Sequence, residues 1–453
     1  METRVLKTPR GEIEGLYFPD KAMLEFRGIR YASAERFEYP VETIGWEGVY
    51  DATRYGDCCC QYRYFNDEFK RENPFYSNEF RKGSSFTYSE DCLNLNICAP
   101  ENAKDCPVIM FIHGGNFIRG SSDEKQNDGA EFVKNGVILV TVNYRLGVYG
   151  LYADRDKKKA DGFAGNCQLY DQLTAVKWIK NNISAYGGNP EKITVIGQSA
   201  GAMCTQSLIL SPLAEGLISG AVMMSGGGMR RGSWAPYNID RTLWFWKRVM
   251  KKAGCGSIGD LKKVSSKELY DAWIAAGNLS GVIATLPMVD GRIMPFKFKK
   301  LFASDKNRVP TVIGVTKNDM VPYILFSDAK RYAAAQTARG VDNYLYYFDT
   351  DLPGDGKGAF HSCDLWYMFK SLAKSERPFR EKDYALAEKL CAYISNFAKN
   401  QNPNGEGLPL WEKAQGQDKE FLRVNADKVE MCRPPAVKLL LNTVRAETIK
   451  DNI

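Results

Sequence analysis

Short apolar runs separated by segments with helical periodicity are the feature that most restricts how this chain can fold. Six of these runs are PVIMFI (107–112), VILVTVN (137–143), ITVIG (193–197), AVMMSG (221–226), PTVIGV (310–315) and YLYYFD (344–349). Strands that are apolar throughout are typical of a parallel sheet whose two faces are both covered. The pattern therefore predicts an α/β architecture with a doubly wound, mostly parallel central sheet and helices on both faces.

The segments around these runs predict the remaining elements. From Asp171 onward, the sequence DQLTAVKWIKNNISAY carries apolar residues at helical spacing. The first hundred residues instead alternate in polarity and contain turn signals, which indicates an N-terminal antiparallel segment. We also expect a helical insertion around residues 233–282 and a helical C terminus from about Pro435. No repeat or flexible linker divides the chain, so we expect one domain over residues 1–453.

Composition excludes several classes of protein. The 61 basic and 54 acidic residues nearly balance, and the densest basic run, DRDKKKAD at 154–161, is interrupted by aspartates. We interpret that run as a solvated loop, and we expect no nucleic-acid partner. The chain lacks both a membrane-length apolar stretch and the apolar core of a signal peptide, which predicts a soluble, cytoplasmic protein with no membrane partner. Its 12 cysteines are scattered without zinc-site spacing, and we expect thiols, with no metal or cofactor.

Ser199 is the first candidate for chemistry. In VIGQSAGAM (195–203) it lies between two glycines, after the run ITVI and before the predicted helix AMCTQSLIL. A serine on a sharp strand-to-helix turn projects its hydroxyl above the sheet, at a helix N-terminus where developing negative charge is stabilised. Gly197 and Gly201 would leave room where side chains would collide with neighbouring elements. This context favours a nucleophile over a chemically silent turn of small residues.

A second glycine motif follows another predicted strand. FIHGGNF (111–117) places Gly114 and Gly115 directly after PVIMFI. A glycine pair at this point lets backbone N–H groups converge on a shared pocket, as an oxyanion hole requires. Two such motifs on successive strands indicate an acyl-transfer site.

The chain contains only two histidines, and their order in the sequence selects one of them. In the α/β-hydrolase fold the chain order is nucleophile, acid, histidine. His113 precedes Ser199 and belongs to the glycine motif, which leaves His361 in GAFHSCDLWYMF as the candidate base. The acid must lie between Ser199 and His361, just after a strand. Asp319 in TVIGVTKNDM is favoured, and Asp349 in YLYYFDTD is the alternative.

These motifs together resemble the type-B carboxylesterase family, which includes para-nitrobenzyl esterases, liver carboxylesterases and cholinesterases. The ordered segments SEDCLNLNI, FIHGGNF, VTVNYRLG, GQSAGA, MVDGRIMP and GAFHSCDL carry the resemblance over most of the chain. It implies an α/β-hydrolase fold and a serine hydrolase whose triad is Ser199, Asp319 and His361. It also implies an oxyanion hole formed by the N–H groups of Gly115, Asn116 and Ala200.

The resemblance implies structural pairs as well. The family pairs Arg36 with Glu90 and Arg145 with Asp171, which we interpret as structural salt bridges. Its first disulfide would join Cys59, or a neighbour in the CCC run, to Cys92. We expect thiols there in a reducing compartment.

The sequence departs from the family pattern at the site itself. Asn116 stands where a third glycine is common, the acid is an aspartate where glutamate is more frequent, and Gln198 replaces the common glutamate before the nucleophile. Asp319 and His361 are only 361 − 319 = 42 residues apart, shorter than in larger members. We therefore expect a shallower pocket that takes short-chain or aryl esters.

Other functions share these features. A silent binding or adhesion relative has the same fold, but the intact set of Ser199, Asp319 and His361 argues against it. Amidase or feruloyl-esterase activity would use the same triad. We expect a small-molecule ester as the partner, and the sequence favours a monomer only slightly.

Overall fold

A computed structural model of the chain describes residues 2–66, 69–70, 74–154, 165–229, 237–277, 286–295, 300, 308–414 and 420–432. Within these residues the largest element is a sheet of 13 strands. Numbered along the chain, the strands are β1 (Glu2–Thr8), β2 (Gly11–Phe18), β3 (Met23–Arg30), β4 (Val49–Asp51), β5 (Asn94–Pro100), β6 (Cys106–Ile112), β7 (Ile138–Val142), β8 (Gly188–Gln198), β9 (Gly220–Met224), β10 (Thr311–Thr316), β11 (Asn343–Phe348), β12 (Phe421–Val424) and β13 (Val429–Cys432).

The sheet runs in the order β1-β2-β3-β5-β7-β6-β8-β9-β10-β11-β12-β13, with β4 paired to β2. All neighbouring pairs from β7 to β12 are parallel. The strands β1, β2, β3 and β5 pair in antiparallel fashion, and β5 is antiparallel to β7. Both the mostly parallel sheet and its antiparallel N-terminal part are therefore confirmed, and the six apolar runs fall in β6 to β11.

The α-helices in the described part of the chain cover the sheet. They are α1 (Tyr62–Phe65), α2 (Phe75–Arg81), α3 (Ala130–Lys134), α4 (Gly147–Gly150), α5 (Cys167–Asn182), α6 (Ala200–Leu210), α7 (Ile239–Lys252), α8 (Ile258–Leu261), α9 (Ser266–Ala276), α10 (Pro322–Ala338), α11 (Asp364–Met368) and α12 (Glu381–Asn400). The helix expected from Asp171 thus begins earlier, at Cys167. The expected helical insertion corresponds to α7–α9.

Short two-stranded pairings lie outside the main sheet. They join Ala32–Ser33 to Val41–Glu42, Cys58–Cys59 to Tyr88–Ser89, and Tyr237–Asn238 to Met288–Val289. The expected C-terminal helix from Pro435, and all of the DRDKKKAD run after Asp154, lie outside the described residues.

The two faces of the sheet bury two apolar clusters. In β6, Val108, Met110 and Ile112 belong to one cluster, whereas Ile109 and Phe111 belong to the other. The first cluster includes residues of α5, α6 and α10, and the second includes residues of α3, α11 and α12. Because side chains alternate along a strand, a strand covered on both sides must be apolar throughout, which is why these runs show no alternation.

Two ion pairs implied by the family resemblance are present. Arg145 donates from Nε to Asp171 Oδ2 at 2.9 Å and from Nη2 to Oδ1 at 2.7 Å, and both side chains are almost wholly buried. This pair fixes the loop after β7 to helix α5. Arg36 donates from Nε to Glu90 Oε2 at 2.8 Å and from Nη1 to the carbonyl of Val264 at 2.6 Å, which ties the insertion to the N-terminal region.

Cys59 and Cys92 are buried side by side, where the family resemblance implies a pair. The Cys92 thiol is hydrogen-bonded to Cys59, and this bond together with burial raises its pKa well above the ordinary value. The Sγ atom of Cys59 also accepts a hydrogen bond from the N–H of Leu146 at 3.1 Å. The pair therefore packs against the loop that follows β7.

The buried pair of Arg145 and Asp171 predicts a large stability effect. We expect Asp171→Asn to lower the free energy of unfolding by about 3–5 kcal/mol, because it leaves a buried guanidinium without its counter-charge. Asp271→Asn is the matched control. Its partner Lys267 forms a 2.6 Å pair in which both side chains are 54% exposed, and the expected cost is below about 1 kcal/mol. Urea unfolding measures both, and equal losses would contradict the interpretation.

Candidate active site

Ser199 occupies the turn between β8 and α6. Its backbone has φ 57° and ψ −121°, a conformation that residues other than glycine rarely adopt. Its N–H donates to the carbonyl of Met224, the last residue of β9, at 2.8 Å. The side chain is partly exposed, although Gln198 and Ala200 on either side are buried. The turn therefore presents a serine hydroxyl at the C-terminal edge of the parallel strands.

The two glycines beside Ser199 allow this turn to form. A methyl group on Gly201 would lie 2.1 Å from the carbonyl oxygen of Ile112, and one on Gly197 would lie 2.2 Å from the carbonyl oxygen of Gly201. No side chain fits at such distances. The interpretation of these glycines as positions of close backbone approach is confirmed.

His361 and Asp319 lie together beside this turn. The Nδ1 atom of His361 is 2.6 Å from Asp319 Oδ1, and both residues are buried. Burial alone would lower the pKa of His361, but the charge and hydrogen bond of Asp319 raise it above the ordinary value. Burial alone would raise the pKa of Asp319, but the charge and hydrogen bond of His361 lower it. The pair therefore favours an ionised carboxylate that holds Nδ1–H of the imidazole.

Asp349, the alternative acid, is engaged elsewhere. Its Oδ2 accepts a hydrogen bond from Arg423 Nε at 2.7 Å, and Lys317 Nζ lies 3.4 Å from Oδ1. Asp349 follows β11, whereas Asp319 follows β10, one strand closer to the nucleophile turn in the sheet order. The structure thus brings Asp319 to His361, and it places Asp349 in an ion pair with β12.

Thr316 and Asn318 hold the acid in place, and the sequence analysis did not identify them. Thr316 Oγ1 donates to Asp319 Oδ2 at 3.1 Å, and the N–H of Met320 donates to Oδ1 at 2.8 Å. Asn318 joins the acid loop to the histidine loop, because its N–H donates to the carbonyl of Ala359 at 3.0 Å and its Oδ1 accepts from the N–H of Ala359 at 3.0 Å. The signal in the sequence that could have identified these two residues was their position directly before Asp319, in TKND.

The loop after β6 packs against the nucleophile turn. A methyl group on Gly114 would lie 3.1 Å from Ser199 Cβ. Gly115 and Asn116 have positive φ values of 112° and 57°. Among the described residues, none accepts a hydrogen bond from the N–H groups of Gly115, Asn116 or Ala200. In the described part of the chain, three N–H groups without an acceptor therefore lie on the two segments that meet at Ser199.

His113 has a structural environment. Its Nδ1 is 2.8 Å from the carbonyl oxygen of Gly114, and its ring stacks on Tyr144 with centroids 4.5 Å apart. Burial lowers the pKa of His113 to about 4. His113 therefore remains neutral near pH 7 and supports the glycine loop.

The Nε2 atom of His361 faces the residue before the nucleophile. Gln198 Nε2 lies 3.3 Å from it, and Gln198 is itself buried. Within the described part of the chain, no hydrogen bond joins Ser199 Oγ to His361 in this structure. Contacts between a catalytic serine and its base are often long before the transition-state complex forms.

A second carboxyl group lies near His361. Asp364, at the start of α11, is fully buried, and its Oδ2 accepts a hydrogen bond from Tyr346 at 2.9 Å. Burial is the main cause that raises the pKa of Asp364 to about 7, and the nearby charge of Asp319 adds to the effect. In its ionised form Asp364 also raises the pKa of His361.

The described residues contain neither a candidate metal-ion cluster nor a helix that could span a membrane. No cluster of three or more His, Cys, Asp and Glu side chains among them could hold a metal ion. In the same part of the chain, no helix combines the length and the apolar character needed to cross a bilayer.

The chain is similar to known carboxylesterases. A model of the Carboxylesterase family matches residues 2–334 and 321–440. The para-nitrobenzyl esterase of Bacillus subtilis (strain 168) is 31% identical, over 94% of this chain and 96% of that protein. Human cocaine esterase is 27% identical, over 88% of this chain and 83% of that protein. The crystal structure of a Geobacillus stearothermophilus carboxylesterase is 27% identical, with a TM-score of 0.79, and the alignment covers 97% of this chain and 99% of that one. The chain therefore belongs to the carboxylesterase family.

Proposed function

We propose that this carboxylesterase hydrolyses esters through an acyl-enzyme on Ser199, with His361 as general base and Asp319 as the orienting acid. The observation that carries the proposal is the 2.6 Å contact between His361 Nδ1 and Asp319 Oδ1, buried next to the strained turn of Ser199. An ester hydrolase of this type needs a nucleophile, a base and a group that orients the base. All three are present, in the order along the chain that the fold requires.

The first half-reaction forms the acyl-enzyme. Ser199 Oγ attacks the ester carbonyl carbon while its proton moves to His361 Nε2, and Asp319 stabilises the resulting imidazolium. The carbonyl oxygen becomes an oxyanion, which the N–H groups of Gly115, Asn116 and Ala200 are placed to bind. The C–O bond to the leaving group then breaks, and the alcohol departs with the proton from Nε2.

The second half-reaction restores the enzyme. A water molecule gives a proton to His361 Nε2 as its oxygen attacks the acyl carbon, and the same three N–H groups bind the second oxyanion. The tetrahedral intermediate breaks its bond to Ser199 Oγ, and the proton on Nε2 returns to the serine. The products are a carboxylic acid and an alcohol.

We propose short-chain or aryl esters as the substrates. The segment from Asp319 to His361 contains only one described helix, α10, and one described strand, β11. Little chain is therefore available at this position to build a deep wall around the acyl group. The names of the two relatives, a para-nitrobenzyl esterase and a cocaine esterase, refer to esters that carry an aromatic ring.

We further propose a single-domain, monomeric enzyme of the cytoplasm. One continuous sheet from β1 to β13 supports the single domain. The buried thiols of Cys59 and Cys92 support a reducing compartment. Peptide mapping without reduction distinguishes thiols from a bridge, and sedimentation measures the oligomeric state.

Replacement of the nucleophile tests the function directly. We expect Ser199→Ala to abolish turnover of para-nitrophenyl acetate and butyrate, and labelling by an organophosphonate, because no oxygen remains to attack the substrate. Ser207→Ala is the matched control on the same helix, since its hydroxyl bonds only to the carbonyl of Met203 among the described residues. Undiminished hydrolysis by purified Ser199→Ala protein would contradict the proposal.

Substitutions of the two candidate acids, Asp319 and Asp349, test which of them orients His361. Asp319→Asn should lower kcat by about 10⁴, because an amide neither fixes the tautomer of His361 nor stabilises the imidazolium. Asp319→Glu should retain appreciable activity, because a carboxylate remains within reach. Asp349→Asn, which alters the ion pairs with Arg423 and Lys317, should stay within a few-fold of the parent per folded molecule. Steady-state kinetics measure kcat for each variant, and melting curves show whether each variant is folded. If Asp349→Asn were inactive and Asp319→Asn active, the assignment of the acid would be reversed.

The raised pKa of His361 predicts the pH profile. The reaction needs neutral imidazole, so kcat/KM should fall on acidification through a midpoint above the ordinary histidine value of about 6.5. In Asp319→Asn the carboxylate that raises this pKa is absent while burial still lowers it, so the midpoint of the residual activity should move down. A parent profile that stays flat well below pH 6.5 would indicate a different base.

A further inference from the structure

Among the described residues of β8, Gln198 is the one whose side chain contacts His361. It is the last residue of β8, it is only 3% exposed, and its Nε2 lies 3.3 Å from His361 Nε2. The loop after β6 holds the other end of the amide, because a methyl group on Gly114 would lie 2.7 Å from Gln198 Oε1. The amide is therefore packed between the glycine loop and the imidazole.

The protonation state of His361 determines which group donates the hydrogen in the contact between Gln198 and His361. Asp319 takes the Nδ1–H of His361, so the Nε2 atom of the neutral ring carries a lone pair. A side-chain amide can donate N–H to that lone pair, whereas a carboxylate can only accept. The contact is therefore a hydrogen bond from the Gln198 amide to the atom that receives the proton of Ser199.

We propose that Gln198 is a positioning residue that donates to Nε2 of neutral His361 and holds the base ready for Ser199. This inference rests on the proposed function, because it assigns Gln198 a role at the same base. Because Nε2 has a single lone pair, the Ser199 hydroxyl replaces the amide N–H at this atom before its proton moves, and the amide oxygen can accept from the new Nε2–H after rotation. A neutral side chain thus serves both states of the ring.

The charge of this side chain matters because other carboxylates already face the ring. Asp319 lies against Nδ1 from the loop after β10, and Asp364 acts on the ring from the start of α11. These two residues are the charged groups that affect His361 most. A glutamate at position 198 would add a third carboxylate, on the side of Nε2. It would favour the imidazolium, which cannot accept the serine proton.

Histidine NMR tests this contact without relying on turnover. The chain has only two histidines, so ¹⁵N-histidine labelling gives two ring systems, and His361→Gln assigns them by loss of one. In Gln198→Glu we expect the titration midpoint of the His361 ring to rise by about 1–3 pH units, because an opposite charge now faces Nε2. The acid limb of kcat/KM should move up in parallel. Gln401→Glu, an exposed residue after α12, adds the same charge and should leave the midpoint unchanged.

A second variant removes the donor without adding charge. Gln198→Met has a similar size but no N–H, so the ¹⁵N resonance of His361 Nε2 in the neutral ring should move to higher frequency, towards that of a free lone pair. An unchanged Nε2 resonance in Gln198→Met, or an unchanged midpoint in folded Gln198→Glu, would overturn the proposal. These ring measurements stand even if Ser199→Ala were to retain activity, so failure of the positioning role and failure of the proposed function are distinguishable.

Discussion

The close approach of Gly201 to the carbonyl oxygen of Ile112 is the contact on which the site depends. It places the first turn of α6 directly against the end of β6, at a distance that only glycine permits. The turn of Ser199 is thereby fixed between the loop after β6 and the end of β9, where Met224 accepts the N–H of Ser199. A looser contact would separate Ser199 from the N–H groups of Gly115 and Asn116, which have no acceptor among the described residues.

Around this fixed turn, burial sets the electrostatics. Neither His361 nor Asp319 would favour its charged form at such depth if it were alone. Paired at 2.6 Å they reverse both tendencies, so the carboxylate stays ionised and the imidazole becomes more basic. Asn318 contributes by joining the loops that carry the two residues. The same burial leaves His113 neutral, so that the two histidines of the chain have opposite properties.

The departures from the family pattern at positions 116, 198 and 319 differ in how much they change the site. Asn116 keeps a backbone N–H at this position, and its positive φ shows that the loop conformation does not require glycine there. Asp319 reaches His361 with a shorter side chain than glutamate, because the residues before it draw the acid loop towards the histidine loop. Gln198 is the departure that changes charge, since a neutral amide stands beside His361 where the family commonly has a carboxylate.

The sequence by itself predicted the sheet, the sharp turn at Ser199 and the choice of His361 as the candidate base. Uninterrupted apolar runs require burial on both faces, Gly197 and Gly201 permit one sharp turn, and with two histidines the chain order selects His361. It favoured Asp319 over Asp349 as the candidate acid but left both open, because each follows one of two adjacent parallel strands and both therefore reach the same edge of the sheet. The tertiary structure separates the two residues, because it pairs Asp349 with Arg423 and places Asp319 against His361. The contact between Gln198 and His361 could not be predicted from the sequence either, because the two residues are 163 positions apart and their contact depends on how two loops pack.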